Sequence, residues 1–206
     1  MHKFSIIIPV RKINDYVKES IIRIKKLDYQ DFEVFIITDE KEDFEESRII
    51  ILESGNVGPG EKRNLGAKYA TGDILAFLDD DSYPEYSWLT NASKVFEDSE
   101  VFALGGPAVT PKDADYLERM SGYLFESAVV SGKTTYRYKP EEKRMIDDYP
   151  SVNLFVRKSA FEQVGGFPVE FWPGEDTKLC LDLVAKFGRN FPYDPDVQVY
   201  HHRRNV

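Results

Sequence analysis

Apolar positions in the first 110 residues come in short runs separated by amphipathic stretches. Residues 4–10 (FSIIIPV), 32–38 (FEVFIIT), 48–52 (RIIIL) and 74–78 (ILAFL) are apolar runs of strand length and predict strands. Between them, the pair Asn14-Asp15 opens a near-3.6 spacing of Val17, Ile21, Ile24 and Leu27. Residues 61–70 and 85–97 read as helices, the second carrying Trp88, Ala92, Val95 and Phe96. Continuous apolar strands alternating with helices imply a mostly parallel sheet covered on both faces. The second half is less regular. Residues 101–109, 152–156 and 197–200 predict strands, and 114–127, 159–164 and 175–187 predict helices, the middle one stopped by Gly165-Gly166. The charged, aromatic stretch 133–149 has no clear period and reads as a loop or lid. No repeat, low-complexity segment or Pro/Gly-rich linker divides the chain, so one α/β domain is expected.

Composition narrows the function. In 206 residues, 27 Lys and Arg stand against 36 Asp and Glu for a net charge of −9, which repels nucleic acid and anionic lipid over the surface as a whole. A phosphorylated ligand would then need a local basic patch, a helix N-terminus or a metal ion. The single cysteine, Cys180, allows no internal disulfide and no signal-peptide pattern precedes Phe4, so a reducing, cytoplasmic setting is expected. The charge-free residues 101–111 are about half of a bilayer span. The basic ending Tyr200-His-His-Arg-Arg-Asn-Val206 leaves open that the natural chain continues beyond residue 206.

Four groups of residues could carry chemistry. Asp79, Asp80 and Asp81 stand where the run ILAFL ends, and parallel α/β sheets bind ligands at the carboxyl ends of their strands. Alternate carboxylates Asp79 and Asp81 suit Mg²⁺ or Mn²⁺; equally, Asp81 or Ser82 could cap a helix starting near Pro84-Glu85. Gly58-Pro59-Gly60-Glu61-Lys62-Arg63-Asn64 places two cations in a helical first turn, where they cost stability unless an anion sits nearby. Arg63 is expected to be functional and Lys62 to reach out to solvent. Asp176 opens a helical stripe with Cys180, Leu183, Val184 and Phe187, where a partly desolvated carboxylate could act as general base; capping by Glu175 or Asp176 is the plainer reading. His201-His202-Arg203-Arg204, taken alone, is a solvated basic end, and adjacent histidines on a strand allow at most one into any site. Asp39 ends the second strand run. The chain lacks G-x-G-x-x-G after its first strand, G-x-x-x-x-G-K-[ST], G-x-S-x-G and a cysteine pair for zinc.

In this order, SIIIPVRKINDYVKESI, FEVFIITDE, GEKRNLGAKYATGDILAFLDDDSYP, SVNLFVRKSAFEQVGGF, GED and YDPDVQVYHH resemble the catalytic domain of the inverting glycosyltransferases of family 2. The resemblance implies the GT-A fold, with residues 1–110 as the nucleotide-sugar half and 111–206 as the acceptor and catalytic half. It also implies roles: Pro9, Val10 and Asp39 line the nucleobase pocket, Arg63 approaches the nucleotide, and Asp79 and Asp80 belong to the donor site. Asp81 and His201 would hold Mn²⁺ or Mg²⁺. Asp176 would be the general base, with Gly106, Asn153, Trp172 and Glu175 near the sugar or acceptor.

The implied reaction moves a sugar from a nucleotide-diphosphate sugar to a glycan or lipid-linked hydroxyl by single displacement. Two departures qualify the likeness. Asp39-Glu40-Lys41 replaces the common Asp-Gly-Ser, and the absence of Gln-x-x-Arg-Trp favours transfer of one or few sugars over polymer synthesis. An ending like YHHRR leads to a membrane-associated tail in several relatives, which by analogy would suit a lipid-linked acceptor at the cytoplasmic face of a membrane. The alternatives are a sugar-1-phosphate nucleotidyltransferase, which would carry a glycine-rich loop after the first strand, a non-catalytic sugar-nucleotide-binding module, and a metal-dependent phosphohydrolase.

Overall fold

A computed structural model describes residues 2–44 and 46–203. The first half runs β1 (Phe4–Pro9), α1 (Asp15–Ile24), β2 (Phe32–Thr38), β3 (Ile49–Glu53), α2 (Pro59–Tyr69), β4 (Ile74–Leu78), β5 (Ser82–Pro84) and α3 (Trp88–Val95). The second half runs β6 (Ala103–Gly105), β7 (Ala108–Val109), α4 (Tyr116–Glu126), α5 (Ala128–Ser131), β8 (Arg144–Ile146), β9 (Asn153–Arg157), α6 (Lys158–Val164), α7 (Glu175–Phe187), β10 (Phe191–Tyr193) and β11 (Val199–His201). Eight strands form one sheet in the order β3-β2-β1-β4-β9-β6-β10-β8. Strands β1 to β4 pair in parallel, whereas β9 runs antiparallel to β4 and β6 on either side. A second, three-stranded sheet, β5-β11-β7, was not foreseen from sequence.

Strand alternation divides the core. Ile6 and Ile8 of β1 pack with Val17, Ile21, Trp88 and Leu89 of α1 and α3, while Ile7 packs with Ala67 of α2 on the opposite face, where Leu179 and Leu183 of α7 also lie. Helix α2 lies close to the sheet because residue 66 is glycine: a Cβ there would stand 2.7 Å from Ile7 Cγ2. Asn14 caps α1, its side chain accepting the Val17 N–H at 2.9 Å. Burial pushes the Cys180 thiol well above its usual range, which removes it as a nucleophile. Among the described residues no helix is long and apolar enough to cross a membrane.

Three expectations need correction. Residues 133–149 are not a lid: a 3₁₀ turn (Gly132–Arg137) and β8 fold them against the domain, with Tyr136, Ile146 and Tyr149 in the core. Their aromatic rings are buried too deeply for a segment that swings open. The strand expected over 101–109 breaks into β6 and β7 at Gly106-Pro107, each part joining a different sheet. The helix expected from residue 85 starts at Trp88 behind Ser87, so neither Asp81 nor Ser82 caps it, and β5 occupies the residues between.

Gly106 lies where the two sheets meet, and a Cβ there would fall 1.8 Å from the Val197 carbonyl oxygen. Gly106→Ala therefore forces a backbone shift that should cost about 3 kcal/mol. For a chain of this size the thermal midpoint should drop by roughly 6–12 °C; an unchanged midpoint would sink the account of this junction.

Candidate active site

Strands β1, β2 and β4 all deliver their carboxyl ends to one edge of the sheet, and that edge opens into two adjoining cavities of about 800 and 560 Å³ that share Pro9, Pro59 and Asp80. The larger is also lined by Val10, Asn14, Lys62 and Trp172, the smaller by Arg63, Asp79, Asp81, Phe125, Tyr138 and His201. Together they have the size and polar–apolar mixture of a ligand cleft.

The smaller cavity holds the acids. After β4 the chain turns at Asp79, whose carbonyl accepts the Ser82 N–H and hydroxyl, and β5 then pairs with β11 so that Ser82 faces His201 in register. His201 Nε2 lies 3.1 Å from Asp81 Oδ1. Ligand atoms of Asp79, Asp81 and His201 all lie within 4.8 Å of one another, and Asp81 is buried. Two carboxylate oxygens and one imidazole nitrogen form a donor set that fits Mn²⁺ or Mg²⁺, and it brings together the Asp79 and Asp81 pair expected from their alternation with His201. Asp80 turns elsewhere: its Oδ2 accepts from Asn14 Nδ2 at 2.9 Å.

Arg63 is 4% exposed and projects from the first turn of α2 between two carboxylates. Its Nη2 is 2.7 Å from Asp79 and its Nη1 3.3 Å from Glu175, and the guanidinium stacks over Phe167 at 5.5 Å. Its Nε is buried and finds no acceptor among the described residues. Lys62 does not reach solvent as expected. It is 3% exposed, donates to the Val10 carbonyl at 2.6 Å, and pairs with Asp39. The reason is helical phase: Lys62 and Arg63 stand one turn before Gly66 and Ala67, the small residues that face the sheet. That spacing was the available signal.

Cys180 and Leu183 of the expected stripe on α7 are buried and Val184 and Phe187 pack against the core, but at its open end Glu175 lies inside and Asp176 is half-buried. Glu175 is 6% exposed and committed to Arg63, whereas Asp176 accepts from the Ser151 and Thr177 N–H groups at 3.2 and 2.8 Å. Asp176 is absent from the linings of both cavities. Asn153, expected near the sugar or acceptor, is fully buried: it accepts from Trp88 Nε1 and donates to the Gly106 and Val197 carbonyls, so its amide frames the sheet junction and has no face toward a ligand. Gly106 is buried at the same junction, and Trp172 is exposed at the larger cavity.

Nor is the basic run a solvated end. His202 is held between Glu19 and Glu118, and Arg203 is 8% exposed beneath Phe125 and Tyr138, donating to the Ala108 carbonyl; Arg204 lies outside the described residues. Burial holds the Arg203 guanidinium below the usual arginine range, against the pull of Tyr138, Asp81, Glu126 and Glu118. Arg203 also meets His201 Nδ1 at 2.7 Å, which turns Nε2 toward Asp81.

Residues 5–165 match the sequence model of glycosyl transferase family 2. The chain is 32% identical over 149 residues to the pre-mycofactocin glycosyltransferase of Mycobacterium tuberculosis, a match covering 71% of this chain and 30% of that protein. It is 30% identical over 151 residues to glycosyltransferase AglE of Haloferax volcanii, covering 70% and 45%. The chain thus spans less than half the length of these curated relatives. Among solved structures, the mannosyltransferase PcManGT of Pyrobaculum calidifontis, in complex with GDP-Man and Mn²⁺, superposes with a TM-score of 0.70 at 18% identity, covering 98% of this chain and 57% of that one. Staphylococcus aureus TarS 1-349 in complex with UDP gives 0.69 at 18% identity, covering 96% and 60%. These neighbours are GT-A glycosyltransferases, and the chain has that fold.

Removing the Arg63 charge leaves Glu175 buried without its partner. Arg63→Met should therefore destabilise the protein by about 3 kcal/mol in urea unfolding. A variant as stable as the parent would remove Arg63 from its place as the pivot of the cleft.

Proposed function

The chain belongs to glycosyl transferase family 2, and on that footing we propose that it moves a sugar from a nucleoside-diphosphate sugar to an acceptor hydroxyl by a single displacement with inversion. The observation that carries this reading is the convergence of Asp79, Asp81 and His201 beside Arg63 in a cleft at the carboxyl ends of parallel strands. In a protein of net charge −9, a cleft with three aspartates needs cationic help to receive a diphosphate. Asp79, Asp81 and His201 would hold a divalent cation, Mn²⁺ or Mg²⁺, which when bound neutralises charge on the departing diphosphate. Arg63 adds a buried positive charge beside Asp79 at the same cavity.

The larger cavity is the donor's nucleoside site, with Pro9 and Val10 as its floor and the Lys62–Asp39 pair behind Val10 fixing the polar groups there. Asp80, anchored by Asn14, borders both cavities where ribose would lie. Asp176 is the proposed general base: two backbone N–H donors orient its carboxylate and leave lone pairs to take the acceptor proton as the hydroxyl oxygen attacks the anomeric carbon. Glu175 fills a different role, positioning Arg63. Trp172 at the open edge of the cavity is placed to cover the sugar. The acceptor is a glycan or lipid-linked hydroxyl, and the site works at a cytoplasmic location.

Two variants test the assignment through nucleotide release from UDP-, GDP-, CDP- and dTDP-sugars and through thermal unfolding with the matching nucleotide. Asp176→Asn should lower turnover by roughly 10²–10⁴-fold while nucleotide affinity stays within about twofold; unchanged turnover would give the base to another residue. Asp81→Ala should abolish the Mn²⁺-dependent stabilisation by nucleotide, about 2.7 kcal/mol for the parent at a hundredfold excess over Kd. A parent protein that neither binds nor turns over any of these nucleotides would overturn the transferase reading.

A further inference from the structure

Helix α4 is amphipathic in the wrong sense for a helix of a soluble surface. Its buried positions are Glu118 and Gly122, and it lies so close to the body that a Cβ on Gly122 would meet Thr110 Oγ1 at 2.3 Å. Its apolar side chains point outward. Tyr116, Leu117, Tyr123 and Leu124 are 67, 60, 63 and 57% exposed, and on α5 Val129 and Val130 are 94 and 55% exposed. Single exposed apolar residues are ordinary, but so many on two consecutive short helices form a patch that calls for a partner.

We propose that this face of α4 and α5 docks on a lipid bilayer, seating the mouth of the cleft at the membrane surface. The inference rests on the transferase reading above for its purpose, though not for its physics. Three observations select lipid over another protein surface. The patch is continuous with the cleft: Phe125 of α4 stacks on Tyr138 at 5.1 Å, and both line the cavity that holds Asp79, Asp81 and His201. A flat occupant covering the patch therefore brings its own surface groups to the site, as a bilayer carrying an acceptor does. The local charge also differs from that of the chain. Glu118 of α4 is buried against His202, and Lys112, Arg119 and Lys133 are exposed around the apolar side chains against Asp113, Asp115 and Glu126, so the face is close to neutral in a protein of net charge −9 and lacks the repulsion of anionic lipid that the surface has as a whole. A second copy of this chain would bring its full negative charge instead. Finally, the tyrosines Tyr116 and Tyr123 combine an apolar ring with a polar tip, the character that settles at a bilayer interface.

Flotation of the 206-residue chain with vesicles of phosphatidylcholine, alone or mixed with phosphatidylglycerol, tests the proposal. The parent should float with the mixed vesicles and less strongly with the zwitterionic ones. The double variant Leu124→Ser/Val129→Ser should partition about tenfold or more weakly for each side chain removed. Both positions are exposed, so the thermal midpoint and the nucleotide-dependent stabilisation should stay as in the parent, which separates loss of docking from loss of fold or donor site. A parent that stays with neither vesicle, or a double variant that floats as well as the parent, overturns the proposal. A parent dimer in light scattering that the same variant dissociates, with no flotation, assigns the face to a second copy and overturns it as well. Failure of nucleotide binding with flotation intact would strike the transferase reading and leave the docking face standing.

Discussion

A guanidinium cannot be taken out of water without counter-charge, and Arg63 is almost wholly out of water. Its two carboxylates come from places far apart in the chain, Asp79 at the end of β4 and Glu175 at the start of α7. One cation on α2 thereby ties the end of β4, in the first half of the chain, to the start of α7, in the second. It also fixes the direction of Asp79, which turns toward Asp81 and His201 with one oxygen already engaged. Lys62, next to it on the helix, repeats the device on the neighbouring strands through Asp39 and the Val10 carbonyl.

These ion pairs also answer a problem of concentration. The strand ends gather Asp39, Asp79, Asp80 and Asp81 at one edge, and unshielded carboxylates that close would repel one another. Each meets a different partner: an ammonium for Asp39, a guanidinium for Asp79, the Asn14 amide for Asp80 and an imidazole for Asp81. Asp79, Asp80 and Asp81, adjacent in sequence, are thus held by different contacts. The small residues of α2 make this possible, since only a helix lying against Ile7 and Ile37 can deliver two cations to the strand ends.

Much of this was legible in the chain. The long apolar runs became strands, the Asn14 cap began a helix, and the acids stood at a strand end because ILAFL is a buried parallel strand. What escaped notice was short or depended on partners distant in sequence. The strands SYP and FPY have three residues each and carry no period, so β5 and β10 left no trace in the pattern, and the segments that became β7 and β11 did not reveal that they leave the main sheet for a second one. Lys62 was read by its charge when its phase beside Gly66 decided its fate. Residues 133–149 looked polar because their charged side chains alternate with aromatic rings that reach the core, and Asn153 looked available because nothing in the sequence announces Trp88 or the Gly106 and Val197 carbonyls as its partners.

The small sheet has a consequence for how this site can vary. His201 reaches Asp81 only because β11 is threaded between β5 and β7 in one register, Ser82 opposite His201 and Val109 opposite Tyr200. Side chains alternate across a strand, so a shift of one position would carry the imidazole to the other side of the ribbon. The five residues 194–198 that lead from β10 into β11 therefore act as a ruler. Substitutions along that connection leave its measure intact, whereas a single inserted or deleted residue rewrites which side chain the acids meet without touching any of them.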